Sequence, residues 1–259
     1  MSEHKALISL YAKELKLPSF VRYAQVLREA EQGGLGYEEF LVRLMKGEQQ
    51  NRRENQRKQR IRQAKFPTMK TLDTFDLKNL PNINPAQIFN LAEGNFIDNQ
   101  ENIVLIGNPG TGKTHLSISL GVAACNKGYR VRFYTAAGLV NDLVEAKEQK
   151  RLSRMEKQLS KVQLLILDEL SYLTFNRASA ELLFQVLSAR NERGSVIVST
   201  NLEFSRWTEI FCDPMLTAAT VDRMTHKSHI IDTNGSSYRL RQRLARTNAV
   251  GGPLTGQAE

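Results

Sequence analysis

The chain has 259 residues, of which 41% are hydrophobic, and its 36 lysines and arginines outnumber 27 aspartates and glutamates, leaving a formal net charge of +9. This length suits one α/β domain of ordinary size with a smaller appendage. No stretch approaches the roughly 18 consecutive apolar residues of a membrane span, and residues 1–16 lack the apolar run of a signal peptide. Cys125 and Cys212 indicate neither a disulfide framework nor a metal-type pair, so we expect a cytoplasmic protein.

The N-terminal segment, residues 1–66, is predicted to be a small all-α domain. Apolar residues at Leu7, Leu10 and Tyr11 recur at helical spacing, and Pro18 suits the first turn of a second helix. A third helix begins near Tyr37, after a glycine-rich break. We assign this basic domain to DNA binding and assembly.

The third helix loses its apolar stripe from Glu48 to Lys65 and becomes basic, with Glu54 as the only later acid. A helix that is polar all round is not held by a core, so it is either a solvated spacer or lies along an acidic partner. Clustered basic residues and a high net charge favour nucleic acid. The predicted contacts to the DNA backbone are Arg52, Arg53, Arg57, Lys58, Arg60 and Arg62.

From Asn102 the pattern alternates between apolar, strand-like runs and helix-length segments, after a connector with a short helix at 85–91. That alternation predicts a parallel five-stranded sheet between helices, an α/β fold. The strand-like runs are residues 102–107, 129–135, 164–168, 195–200 and 229–232. The domain that contains them is predicted to span residues 67–248, and residues 249–259 are expected to form a flexible tail.

The first strand-like run leads into a loop with the pattern G-x-x-x-x-G-K-T, and a helix follows. In that context the pattern predicts a phosphate-binding P-loop, because glycines let backbone N–H groups point inward and a helix N-terminus favours anions. Lys113 is predicted to reach the β- and γ-phosphates of ATP, and Thr114 to place its hydroxyl on Mg²⁺. The predicted nucleotide-binding residues are Gly107, Asn108, Pro109, Gly110, Thr111, Gly112, Lys113, Thr114 and His115.

The third strand-like run is apolar until it ends in Asp168-Glu169, and the fourth ends in Asn201. Ligands collect at the carboxyl ends of parallel strands. Asp168 is therefore predicted to hold Mg²⁺ through a water, and Glu169 to orient and deprotonate the attacking water. Asn201 is predicted to contact the γ-phosphate and the water. Together with Lys113, these are the candidate catalytic residues of an ATPase.

Two other interpretations of these motifs stay open. A non-hydrolysing switch would use ATP only to hold an oligomer together. A small-molecule kinase would need no glutamate after Asp168, because its nucleophile is the substrate, and it would not explain the basic N-terminal helix. Glu169 therefore favours hydrolysis.

The segment 138–162 is long for the helix between the second and third strands, and its second half is crowded with lysine and arginine. We expect an extra helix that contacts DNA through Lys150, Arg151 and Arg154, with a solvated helix face as the alternative. Patterns typical of base-specific reading are absent. We therefore expect an affinity for double-stranded DNA that falls with salt and depends little on sequence.

The motifs in this order resemble the AAA+ P-loop ATPases. The segments Gly107–Thr114, Leu164–Glu169 and Ser199–Asn201 are similar to a clade that contains the bacterial helicase loaders DnaC and DnaI and the IstB-type transposition helpers. The resemblance implies that Arg223 is an arginine finger that reaches a neighbouring subunit's γ-phosphate, and that Arg239 touches the nucleotide in its own subunit. A surface salt bridge for Arg223 and a DNA-phosphate contact for Arg239 are the alternatives. The usual helical lid domain is expected to be absent or reduced.

The N-terminal segments select the IstB-like family within that clade. Leu15–Pro18, Tyr37–Leu41, Ala64–Pro67 and Thr71–Asp76 are similar to IstB proteins, and the resemblance covers about residues 5–246. It implies a regulator of DNA transposition that forms ATP-dependent homo-oligomers on target DNA, remodels that DNA and recruits or stimulates a partner transposase encoded beside it. The alternative is a replicative helicase loader, whose N-terminal helices would grip a helicase instead.

Overall fold

The computed structural model describes residues 3–77, 80, 82–172, 175–235, 237 and 238. Its contacts divide the chain into two compact units, Met1–Gln59 and Arg60–Glu259. The division falls inside helix α3, Tyr37–Ala64, which contributes residues to both units. Within the described residues, no helix is both long and apolar enough to span a membrane.

The first unit is helical, as predicted. It contains α1, Glu3–Glu14, then a short 3₁₀ turn that begins at Pro18, and α2, Tyr23–Gln32, before α3. Glu48 on α3 accepts hydrogen bonds from the backbone N–H of Ser19, at 3.0 Å, and from Arg52 Nε, at 2.7 Å. Burial disfavours the Glu48 carboxylate, but the bonds from Arg52 and Ser19 outweigh that effect and hold the pKa of Glu48 below its usual value.

The last turn of α3 belongs to the second unit and is held by a core. Ala64 is fully buried, and Ile61 and Phe66 pack against the same apolar cluster. The expectation that this helix has no core face as far as Lys65 is therefore wrong for its final turn. Ile61 and Ala64 are three residues apart and therefore lie on the same face of the helix. Phe66, just beyond the end of the helix, packs against the same apolar cluster.

Five parallel strands form the sheet among the described residues, which confirms the predicted fold class. The spatial order is β2-β3-β4-β1-β5, and every neighbouring pair runs parallel. The strands are β1 Asn102–Ile106, β2 Val131–Thr135, β3 Leu164–Asp168, β4 Ser195–Thr200 and β5 Ser228–Asp232. Side chains alternate between the two faces, so that Ile103 and Leu105 join one apolar cluster while Val104 joins the other.

Helices cover both faces of the sheet. One cluster contains residues of α4, α5 and α6, and the other contains residues of α7, α9, α10 and α11, with Trp207 and Phe211 fully buried in it. The bounds are α4 Pro85–Ala92, α5 Asn95–Asp98, α6 Lys113–Lys127, α7 Ala136–Glu148, α8 Leu152–Leu159, α9 Arg177–Arg190, α10 Thr208–Phe211 and α11 Pro214–Thr225. The predicted extra helix between β2 and β3 is present as α8.

Arg190 fastens α8 to the rest of the second unit. Its buried guanidinium donates to the carbonyls of Leu159, at the end of α8, and of Val162, both at 3.0 Å. It also donates to Gln163 O at 3.2 Å and to Ser195 O, at the start of β4, at 3.0 Å. Burial lowers the pKa of Arg190 to about 10, so the group stays charged at neutral pH and the carbonyl dipoles solvate it in place of water.

We predict that Ile166→Ala lowers the free energy of unfolding of the second unit by about 2–5 kcal/mol, because it opens a cavity in a fully buried central strand. Ile230→Ala makes the same chemical change on edge strand β5, where the side chain is 52% exposed, and should cost less than about 1 kcal/mol. Urea denaturation followed by the fluorescence of Trp207, the single tryptophan, measures both. Equal losses in the two variants would contradict the assigned core.

Candidate functional site

A cavity of about 600 Å³ opens in the second unit, where the loops after β1, β3 and β4 meet at the carboxyl edge of the sheet. Its volume lies within the roughly 300–1,000 Å³ of typical ligand sites. Most of the residues predicted to bind nucleotide or to act in catalysis line it, namely Pro109, Gly110, Thr111, Gly112, Lys113, Thr114, His115, Glu169 and Asn201. The structure therefore brings together, in one place, motifs that lie far apart in the sequence.

The glycine-rich loop packs closely against the chain that leaves β5. At Gly107, where φ is 155°, an added Cβ would lie 2.4 Å from Thr233 Oγ1. Thr233 donates from both its backbone N–H, at 2.7 Å, and its hydroxyl, at 3.0 Å, to Ile106 O. The N–H of Asn108 donates to Asn234 Oδ1 at 3.0 Å. A larger residue does not fit at position 107. The contacts with Thr233 and Asn234 hold the glycine-rich loop against the end of β5.

Lys113 is the first residue of α6 and is buried at the centre of the loop. Its ammonium donates to two loop carbonyls, Gly107 O at 2.6 Å and Asn108 O at 2.8 Å. Thr114, the next residue of the helix, lines the cavity. The N-terminus of a helix carries partial positive charge, so this end of α6 combines a cation with the helix dipole and suits an anion.

Asp168 and Glu169, at the end of β3, differ in their exposure to solvent. The Asp168 side chain is buried, and Oδ1 accepts a hydrogen bond from Ser199 Oγ on the neighbouring strand β4. Glu169 is exposed to the cavity, and its backbone N–H donates to the same Ser199 hydroxyl at 3.0 Å. Its φ of 60° is left-handed, a conformation that non-glycine residues adopt at a cost and that concentrates at functional sites.

Asn201 follows β4, and its backbone N–H donates to Ser171 Oγ at 2.9 Å. This bond joins the loops after β3 and β4, so that Glu169 and Asn201 both face the cavity. Sequence analysis did not predict roles for Ser171, Ser199 or Thr233. Their only signal in the sequence is a small hydroxyl residue at or after the end of a strand, and this signal becomes informative only once the neighbouring strands are known.

The connector before α4 forms one wall of the cavity, which sequence analysis also missed. The Phe75 ring packs edge-on against the His115 ring with centroids 5.1 Å apart, and an added Cβ on Gly112 would lie 2.9 Å from Phe75. His115 Nε2 lies 3.2 Å from both Thr71 O and Thr74 Oγ1. His115 thus faces both the cavity and the connector.

Comparison with known proteins identifies the chain. The family model of the IstB-like ATP binding protein matches residues 10–246. The chain belongs to the IstB-like family of ATP-binding proteins. It is 40% identical over 218 residues to the insertion sequence IS21 ATP-binding protein of Pseudomonas aeruginosa, covering 84% of this chain and 82% of that one. It is 38% identical over 240 residues to the IS5376 ATP-binding protein of Geobacillus stearothermophilus, covering 92% and 96%.

Solved structures confirm that this IstB-like protein has the AAA+ P-loop fold. The DnaC helicase loader superposes with a TM-score of 0.53 at 21% identity, over 62% of this chain and 95% of that one. DnaA of Aquifex aeolicus bound to AMPPCP superposes with a TM-score of 0.55 at 18% identity, over 75% of this chain and 58% of that one. At these identities the likeness shows the fold alone.

Of the two arginines predicted for the IstB-like site, the structure describes only Arg223. Arg223, near the end of α11, is half-buried and does not line the cavity. Its guanidinium lies 4.8 Å from the centre of the Phe184 ring, and NH1 donates to Ala219 O at 3.1 Å. Arg239 lies outside the described residues, as do residues 249–259.

The residues predicted to contact DNA lie on α3 and around the start of α8. Those with exposed side chains are Arg52, Arg53, Arg57, Lys58, Arg62, Lys150, Arg151 and Arg154. Arg52 pairs with Glu48, and Arg57 and Lys58 pair with Glu54. Arg60 is half-buried, and its Nε donates to Cys125 O at 2.9 Å. These assignments stay predictions.

We predict that His115 titrates below its usual pKa of 6.5. Burial has the largest effect and disfavours the charged ring, the bond to Thr71 O opposes it, and the nearby Lys70 charge adds to it; the net pKa is lowered. Because the unfolded chain binds this proton more tightly, the contribution of His115 to stability is present above pH 6.5 and is lost as the pH falls below it. NMR titration of the ring measures this, and a midpoint at or above 6.5 would refute it.

Proposed function

We propose that this protein is a Mg²⁺-dependent ATPase that assembles on double-stranded DNA in its ATP-bound form and works with a partner transposase during the movement of an insertion sequence. One observation carries the proposal: Lys113, Glu169 and Asn201 line a single cavity, in a chain whose family binds ATP and whose relatives are ATP-binding proteins of insertion sequences. The named likeness to DnaC extends only to the fold, so it gives no support to the alternative of a helicase loader.

The triphosphate would enter the cavity over the N-terminus of α6. Phosphate oxygens would replace the carbonyls of Gly107 and Asn108 as acceptors of the Lys113 ammonium. This exchange is favourable because the ammonium then meets a negatively charged acceptor in place of a neutral one. Phe75 of the connector and His115 of α6 line the same cavity. They leave an apolar and aromatic surface for the base.

The donor set fits a magnesium ion, which prefers hard oxygen ligands. Thr114 would hold it through its hydroxyl, and the Asp168 carboxylate would hold it through a water. Asp168 already has one oxygen bonded to Ser199 Oγ, which fixes the direction of the other oxygen. When bound, the ion neutralises charge on the transferring phosphoryl group.

Glu169 would orient a water and accept its proton as the water attacks the γ-phosphorus and the bond to the β-phosphate oxygen breaks. Glu169 is exposed and lines the cavity, although the strand that it follows is fully buried. Asn201 would hold the same water and a γ-phosphate oxygen from the adjacent strand. This division of work explains why one acid of the pair is buried and the other exposed.

We predict that Glu169→Gln keeps ATP binding and DNA-dependent assembly but lowers the rate of ATP hydrolysis by about 10²–10⁴-fold, the usual size of a lost general base. Lys113→Ala should lose nucleotide binding itself. Fluorescent-nucleotide anisotropy, phosphate release and electron microscopy with duplex DNA, in ATP and in ADP, separate these effects.

Glu145→Gln is the matched control, since it changes an exposed glutamate on α7 that does not line the cavity. It should hydrolyse ATP at the parent rate. Unchanged hydrolysis in Glu169→Gln would refute Glu169 as the base and would favour a switch that hydrolyses nothing. Identical free monomers in ATP and ADP would refute nucleotide-dependent assembly.

Arg223 is proposed to complete the site of a neighbouring subunit. Its guanidinium rests on an aromatic ring and a carbonyl, and among the described residues no carboxylate lies within ion-pair distance of it. Its charge is therefore not cancelled locally, and it lies outside the cavity of its own chain. A cation supplied from another subunit makes hydrolysis depend on assembly.

We predict that Arg223→Ala binds ATP but hydrolyses it poorly, and that mixing it with Glu169→Gln restores part of the missing activity. The Glu169→Gln subunit binds ATP and still offers an intact Arg223 to the intact cavity of its neighbour. A mixture of Lys113→Ala with Glu169→Gln is the control, and it should stay inactive because every cavity in it is defective. If mixing restores nothing, Arg223 does not act across an interface.

DNA binding is proposed from the basic residues of α3 and α8. The exposed arginines and lysines there would contact phosphates, which supply most of sequence-independent affinity. A replication initiator of the same fold, DnaA, is known in complex with AMPPCP and single-stranded DNA, with a TM-score of 0.54 and 17% identity over 73% of this chain and 58% of that one. A transposase is the proposed partner because the relatives belong to insertion sequences.

A further inference from the structure

A second cavity, of about 200 Å³, lies in the same unit at the amino end of edge strand β2. It is lined by residues from the last turn of α3, from the start of β2 and from the segment between α8 and residue 162. The residues that β2 and its approach contribute are Arg130, Val131, Arg132 and Tyr134. It shares no lining residue with the nucleotide cavity. It is also smaller than the roughly 300–1,000 Å³ of sites for drug-sized ligands, so it suits a single small group.

The lining of this cavity is strongly basic. Arg60, Arg130, Arg132 and Lys161 contribute to it, and no aspartate or glutamate does. Among the described residues none of these four side chains forms an ion pair. Like charges repel when they are gathered without a counter-charge, so the cluster favours an anionic ligand.

Two of the guanidinium groups are held in place by neutral acceptors. Arg60 donates to Cys125 O at 2.9 Å. Arg132 donates to Gln63 O at 3.1 Å and to Tyr134 Oη at 3.2 Å, and lies 4.9 Å from the centre of the Tyr134 ring. Carbonyls and a phenol orient these groups without cancelling their charge, and each guanidinium keeps further N–H donors in its planar fork.

The other two cations, Arg130 and Lys161, are exposed at the cavity. No hydrogen bond from either side chain is found within the described part of the chain, where only their backbones are bonded. They can therefore turn towards a ligand without breaking an existing interaction. The arrangement combines two oriented cations with two mobile ones.

We propose that this cavity binds one phosphate of the DNA backbone, between the contacts made by the end of α3 and those made by α8. The proposal rests on the DNA binding inferred above and names a site for it. The cavity joins the two basic segments, because α3 contributes Arg60 and Gln63 to it and α8 contributes Gln158. A continuous strand of DNA crossing both segments would place a phosphate at the cavity that lies between them.

A purely protective role is the competing explanation. Basic residues on or beside an edge strand keep it from pairing with the edge of another sheet. Arg132 lies on edge strand β2 and Arg130 directly precedes that strand. In that case Arg130 and Lys161 would serve solubility and would not contribute to DNA affinity. The two explanations differ in how DNA binding responds to salt.

The test is the double variant Arg130→Gln with Lys161→Gln, compared with Arg206→Gln with Lys227→Gln. The control pair removes the same charge from exposed side chains that line neither cavity and that pair with Glu209 and Glu192. Anisotropy of labelled duplex DNA in the presence of ATP, at several salt concentrations, gives the affinity and its salt slope. Nucleotide binding and thermal denaturation show that each variant is folded.

We expect the Arg130/Lys161 variant to bind DNA about tenfold more weakly, with a salt slope shallower by about 0.9 for each phosphate that is no longer bound, while nucleotide binding is unchanged. The control pair should keep the parent slope. An unchanged slope and affinity in the Arg130/Lys161 variant overturn the proposal, even if that variant no longer binds inorganic phosphate, since the site would then serve free phosphate. A parent protein that binds no DNA overturns the proposed function as well.

Discussion

The carboxylate of Asp168 governs the geometry of the site, because it stands where a fully buried strand ends. A buried polar group must be hydrogen-bonded to avoid a large cost, and Ser199 on the neighbouring strand supplies the donor. The same hydroxyl accepts the N–H of Glu169, so one serine positions both acids. The parallel register that pairs Leu167 with Val198 brings these residues side by side. A slip of one residue would turn Ser199 to the other face of the sheet.

The rest of the cavity depends on tertiary packing between distant segments. The loop after β1 lies on Thr233 beyond β5, and α6 is covered by Phe75 from the connector. Neither Thr233 nor Phe75 is assigned a catalytic role. Their packing limits the positions that the glycine-rich loop and the start of α6, with Lys113 and Thr114, can adopt. Groups that are held in position in this way need no further ordering before they meet a ligand.

The sequence predicted most of the fold, because strands buried on both faces appear as apolar runs and the P-loop has a distinctive pattern. It also predicted which residues gather after β1, β3 and β4. It could not predict that Phe75 and Thr74 would close one side of the cavity, since that contact joins segments about forty residues apart. It misread the end of α3, where Ile61 and Ala64 are too few to dominate a run of charged residues, although they are enough to bury one turn.

The buried guanidinium of Arg190 has a consequence for the basic helix α8. It fastens the end of that helix through backbone carbonyls alone, and carbonyls carry no proton that can be lost or gained near neutrality. Counterions, which weaken contacts between exposed charges, do not reach a buried group. The bonds that hold the end of α8 therefore keep their strength as the ionic strength rises, under conditions that weaken any contact made by the exposed basic side chains of the helix.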